Sequence, residues 1–290
     1  MRKLFAVFII LFFLFIPCQT YAFKVVQLDQ PKIRLIVPAG GSKSGRIEVK
    51  NNSPEPKEVK VVIEDWRYEN TLDGSKNFFS AGTISRSCAP WINYAPSEFT
   101  IPPFGKEYVN YVVRVPEDAK GGYYAGLFFE SLMGRPTEEK TDAMVVVPVA
   151  VSVGSLFYIE VQGTINRAAQ LEKLSLERKS KDKPLLINLD FKNAGNVDIT
   201  AAGNFNLIDK QGVVYARGEF NQVYTLPGDM AKFSARWKES IPKGKYDLII
   251  TLNLGKALEE LGMGRGPVIV KEAEIEIGPN GEVIRVGMLK

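Results

Sequence analysis

The stretch Met144–Val153 reads M-V-V-V-P-V-A-V-S-V, with valine at every odd position: Val145, Val147, Val149, Val151 and Val153. Successive side chains of a strand point to opposite faces, so these valines form one apolar stripe. Their β-branching favours strand over helix. Pro148 has no N–H to give to a ladder, which points to an edge strand or a bulge. An apolar strand on a sheet edge is an association hazard that proteins suppress unless a partner is meant to pair with it. The stripe therefore reads two ways: as the core face of an ordinary strand, or as a strand lent to a partner.

The same alternation recurs along the chain. Lys32 to Val37, Gly45 to Lys50, Glu58 to Tyr68, Tyr108 to Val115 and Tyr123 to Glu130 all read as strands. Pro/Gly/Asn turn clusters separate most of them, while Asn70 to Ser80 reads as a polar excursion. Tyr123–Glu130 and Met144–Val153 are expected to pair across the polar residues 131–143. Eight further strand-like runs lie between Leu171 and Ile277, with one helical turn at Lys256–Leu261 and a short strand at Val283–Val286. Strands at this spacing, almost without helical periodicity, predict an all-β chain of two tandem immunoglobulin-like antiparallel β-sandwiches. The expected divisions are a signal peptide at 1–22, a first sandwich at 23–162, a second at 163–278 and a tail at 279–290.

The signal-peptide reading rests on Arg2 and Lys3, the apolar run Leu4–Ile16, Pro17 and a small-residue cleavage site at Thr20-Tyr21-Ala22. The run of 13 residues is shorter than the roughly 20 that a membrane helix needs. Cleavage after Ala22 gives a periplasmic or secreted chain beginning at Phe23, with no transmembrane helix in the mature chain. Cys18 leaves with the leader, so Cys88 is alone and reads as a small buried residue rather than a reactive thiol. The net charge of +4 falls to +2 without Arg2 and Lys3, too little to point to nucleic acid.

The chain of 290 residues contains no histidine. That removes the Ser-His-Asp and Cys-His arrangements and imidazole metal sites, and one mature cysteine removes a thiolate cluster. Gly262-Met263-Gly264-Arg265-Gly266 lacks the strand–turn–helix setting of a phosphate loop. Glu64 and Asp65 are adjacent on a strand, point to opposite faces and are expected to be solvated. Neither catalysis, a cofactor nor a metal is expected. Tyr123, Tyr124, Phe128 and Phe129 read as sandwich packing.

The first half resembles the N-terminal domain of the periplasmic pilus-assembly (PapD-like) chaperones. The resemblance lies in Ile47-Glu48-Val49-Lys50-Asn51-Asn52-Ser53, in Phe99-Thr100-Ile101-Pro102-Pro103-Phe104, and in a polar loop leading to an apolar strand that ends Leu156-Phe157-Tyr158. It implies that Val145, Val147, Val149, Val151 and Val153 fill the groove of a pilin-like subunit by β-augmentation. It also implies a clamp on the subunit's terminal carboxylate, with Arg34, or else Lys32, as its arginine; a strand arginine of this kind otherwise faces solvent. Ser155 stands where the family carries the clamp's lysine. The chain is also similar to two-sandwich Gram-positive surface proteins with a peptidoglycan-binding first domain, through Gly121-Gly122-Tyr123-Tyr124-Ala125-Gly126. The expected function is an exported chaperone-like protein that captures a β-rich, pilin-like partner through an apolar edge strand. The alternative is a structural or adhesive envelope protein that binds peptidoglycan or another surface protein.

Overall fold

The computed structural model describes residues 26–133 and 149–290. The first ten strands are β1 (Gln27–Leu28), β2 (Lys32–Val37), β3 (Ser42–Lys50), β4 (Lys57–Tyr68), β5 (Lys76–Ser80), β6 (Ile92–Ala95), β7 (Glu98–Ile101), β8 (Lys106–Arg114), β9 (Gly122–Met133) and β10 (Val149–Val161). They build two sheets, β1-β3-β8-β6 and β2-β10-β9-β4-β5, with β7 added to β4. Between the sheets lies a core that includes Ile47, Val49, Val61, Val109, Leu127, Phe129, Phe157 and Ile159, all buried. Each such side chain contributes about 1.5–3 kcal/mol by leaving water.

The second group of strands is β11 (Ala169–Glu177), β12 (Leu185–Asn193), β13 (Ile199–Ile208), β14 (Val214–Glu219), β15 (Val223–Thr225), β16 (Met230–Trp237) and β17 (Gly244–Asn253). The short helix α1 (Lys256–Glu260), β18 (Val268–Ile277) and β19 (Val283–Val286) complete it. These form the sheets β11-β12-β16 and β14-β13-β17-β18-β19, with β15 paired to β13. The protein is thus all-β and built from two β-sandwiches. Among the described residues no helix is long and apolar enough to cross a membrane.

Two of the three segments that carried the family resemblance meet in space. Asn51 donates from Nδ2 to the carbonyls of Ile101 (3.3 Å) and Pro102 (3.1 Å), and its N–H bonds the Gly105 carbonyl at 2.9 Å. A buried asparagine with these carbonyls satisfied fastens the end of β3 to the turn after β7.

Two expectations are corrected, and the antiparallel sheets carry one parallel pair: β2 runs parallel to β10 from Lys32↔Leu156 to Val37↔Val161. The chain crosses from β1 in one sheet to β2 in the other at Gln30–Pro31, which sets β2 alongside the last strand in the same direction. The polar excursion after Tyr68 contains β5, a strand at the sheet edge. Asp65 is fully buried rather than solvated: it accepts from the N–H groups of Thr83 (2.8 Å) and Ile84 (3.1 Å) and from Ser87 Oγ. Cys88 is buried.

Candidate partner-binding edge and cleft

Strand β10 has one long neighbour and one short one. It pairs with β9 along Val149↔Met133 to Glu160↔Gly122, whereas β2 covers it only from Leu156 onward. Among the described residues no strand pairs with the other edge of Val149–Ser155. The phase of the exposed edge follows from two bonds: Leu156 N–H to the Pro31 carbonyl (3.0 Å) and Gln162 N–H to the Val37 carbonyl (2.9 Å). Even-numbered residues therefore aim their backbone groups toward the β2 side. Ala150, Ser152 and Gly154 aim theirs at the open edge, while Val151, Val153 and Ser155 aim theirs at β9.

The odd side chains face inward. Phe157, Ile159 and Val161 are core residues, Val153 packs against the same cluster, and Val151 is half-buried. Ser155 interrupts the stripe where the chain crosses between sheets, and its hydroxyl donates to the Gln30 carbonyl. Of the stripe expected from the sequence, Val145 and Val147 lie outside the described residues, and Val149 opens the strand.

The even side chains form the outer face, which is solvent-lined at one end and covered by the second sandwich at the other. The covered end is an aromatic cluster of Trp66, Tyr68, Tyr124 and Tyr158 that belongs to one core with the second sandwich. Backbone bonds also span the joint, from Tyr224 N–H to the Leu72 carbonyl (2.9 Å) and from Gly122 N–H to the Asn196 carbonyl (2.8 Å).

Arg34 lies within this joint and does not face solvent. Its side chain is 1% exposed and bonds Asp198 through both terminal nitrogens, at 2.9 and 2.6 Å, and Glu160 through one of them. Arg167 joins the same Glu160 carboxylate. Burial works against the Arg34 charge, but Asp198 and Glu160 outweigh it and hold the guanidinium more firmly protonated than usual. Its terminal nitrogens are thus committed to carboxylates of its own chain.

Two lysines beside it are not so committed. Lys32, opposite Leu156, sets its ammonium 4.7 Å from the centre of the Tyr158 ring. Lys76, on β5, lies 5.3 Å from the Tyr68 ring centre and 5.7 Å from that of Trp66, and donates to the Gly74 carbonyl at 2.7 Å. Neither lysine forms an ion pair with a carboxylate of the described residues. Burial lowers the pKa of Lys76, and burial followed by the Arg34 charge lowers that of Lys32. Lys76 missed recognition in the sequence because its strand reads as a loop; Lys32 was legible only as an alternative to Arg34.

The open edge is flanked by two depressions. At the Ala150 end a groove of about 570 Å³ is lined by Glu58, Lys60, Glu98, Glu130 and neighbours. At the Gly154 end a pocket of about 350 Å³ is lined by Lys76, Phe78, Phe128, Ser152, Gly154 and Leu156.

No protein-family profile and no curated protein matches the chain. Solved structures do. The class 5 fimbriae chaperone CfaA is 13% identical over 86% of this chain and 98% of its own, with a TM-score of 0.49. The E. coli chaperone DraB is 12% identical over 85% and 97%, with a TM-score of 0.41. A chain from the Salmonella enterica SafA pilin–SafB chaperone complex is 11% identical over 87% and 97%, also at 0.41. The chain is similar, distantly and in fold, to the pilus-assembly chaperones that its sequence resembles.

Proposed function

We propose that this chain is an exported, chaperone-like binding protein that captures a β-rich, pilin-like partner by taking one of its strands onto the open edge of β10. The observation that carries this reading is the coincidence of a strand edge, Val149–Ser155, that no strand of the described residues pairs with, and two lysines at its end that form no ion pair with a carboxylate of the described residues. An added strand would occupy the line of β2 and stop where β2 begins. Main-chain bonds to Ala150, Ser152 and Gly154 would supply affinity. Apolar side chains on its inward face would pack beside Val151 and Val153.

The charges select the polarity of that strand. Running parallel to β10, it would bring a carboxyl terminus to Lys32 and Lys76; running antiparallel, it would bring an ammonium group to two cations. A carboxylate beside half-buried ammonium groups gains a charge-assisted bond, whereas the reverse pairing is repulsive. In this reading Lys32 and Lys76 meet the carboxylate, and Arg34 holds the cleft walls together behind them. The periplasm is the compartment that suits such a chain.

The test is co-purification of an exported β-rich subunit from envelope extract with the wild-type protein and with a folded Ser152→Pro variant. Capture that depends on an intact edge supports the proposal. Equal capture by both proteins, or sedimentation with purified peptidoglycan in place of protein capture, sinks it.

A further inference from the structure

The outer face beside the open edge holds an aromatic pair that the packing of the two sandwiches does not use. Phe128 lies opposite Gly154 in the β9–β10 register. A Cβ at Gly154 or at Gly126 would come within 2.7 Å of its ring, so these glycines give the ring its bed. Phe78, on the outer strand β5, meets Phe128 edge to face with ring centres 4.8 Å apart. Phe128 is 7% exposed, but Phe78 is 46% exposed, an unusual position for an aromatic ring with a partner ring at its side. The pocket they wall shares Ser152 and Gly154 with the open edge.

We infer that Phe78 and Phe128 form a side-chain pocket that selects a large apolar, preferentially aromatic residue near the carboxyl end of the added strand. This rests on the strand-addition reading above. A strand in the line of β2 keeps the face alternation of β2, whose Lys32 lies opposite Leu156. Its residues opposite Ser152 and Gly154 therefore point to the outer face, into the pocket, while those opposite Val151 and Val153 point inward. An aromatic ring there meets the exposed Phe78 ring at its side and removes that surface from water. Main-chain pairing alone reads no sequence, so this pocket gives the edge a preference among partner strands.

The experiment is a binding titration of the full chain with hexapeptide acids that alternate threonine and valine and end in valine. The fifth residue is phenylalanine, leucine or serine. The phenylalanine peptide is expected to bind about tenfold tighter than the serine peptide, with leucine between them. The Phe78→Ser variant should lose that preference and keep the wild-type affinity for the serine peptide, which also reports that the edge is intact. Equal affinities for all three peptides on the wild-type protein overturn the pocket and leave strand addition standing. Binding of none of them overturns strand addition, and the pocket with it.

Discussion

Arg34 on β2 and Asp198, one residue before β13, join the two sandwiches through two N–H···O bonds of 2.9 and 2.6 Å, with both side chains 1% exposed. A pair this deep gains little over an apolar pair of equal volume, but removing one partner strands the other. Arg34→Ala leaves Asp198 buried without its cation and Glu160 with Arg167 alone. Urea unfolding should show a loss of about 3–5 kcal/mol. Arg34→Met combined with Asp198→Asn should lose clearly less than the sum of the single changes, since the contact residues are coupled. Additive losses would show that the pair does not hold the joint.

Gly154 and Phe128 are matched by shape. The Gly154 backbone is not in the left-handed region, so its constraint is the ring at 2.7 Å and not its φ angle. Gly154→Ala must push the Phe128 ring off its bed, which costs about 1–3 kcal/mol by the usual scale of overpacking. A second change, Phe128→Leu, should recover part of that loss in the Gly154→Ala background. Thermal unfolding of the two singles and the double measures it, and an unchanged midpoint for Gly154→Ala would sink the account.

Much of the fold was legible because strand alternation is a local signal. Lys32–Val37, Val268–Ile277 and Val283–Val286 are strands with the bounds that their periodicity suggests, and the pairing of β9 with β10 follows from their order. What escaped depends on distant residues. The short strands β5, β6 and β7 carry too few alternations to stand out from turn chemistry. Asp65 reads as a solvated carboxylate because nothing near it in sequence announces the N–H groups of Thr83 and Ile84. The partner of Arg34 lies 164 residues away, in the other sandwich. The cleft's second lysine, Lys76, sits on one of the strands that went unrecognised.

Lys32 and Lys76 should trade stability for binding. Burial lowers both pKa values from the ordinary 10.5, so in the folded chain the charged form is disfavoured and the unfolded chain holds the protons more tightly. Stability therefore rises as the pH climbs through the lowered values toward 10.5, where the unfolded lysines also lose their protons. Affinity for a peptide carboxylate falls over that same interval, since it needs the ammonium form. Lys32→Met and Lys76→Met should each unfold at a higher urea concentration than wild type, and each should bind the peptide acids more weakly. Amidation of the peptide should remove most of the difference between variant and wild type. Identical affinities for acid and amide on the wild-type protein would rule out the two lysines as the carboxylate site.

Strand β10 offers its backbone to two different neighbours on alternate residues, and proline separates them. At Ser152 the N–H points to the open edge, so Ser152→Pro leaves the β9 ladder of Val151↔Ser131 and Val153↔Phe129 with all its donors. The preceding residue is already extended, as a proline requires. At Val153 the N–H points to β9, so Val153→Pro removes a ladder bond and crowds the facing strand. Ser152→Pro should unfold close to wild type yet lose peptide binding by at least about tenfold, as one main-chain bond is lost and the ring obstructs the approach of a strand. Val153→Pro should lose roughly 3 kcal/mol or more of stability. A Ser152→Pro protein that stays folded and binds the peptide acids as wild type does would show that no strand is taken up on this edge, whatever else the cleft holds.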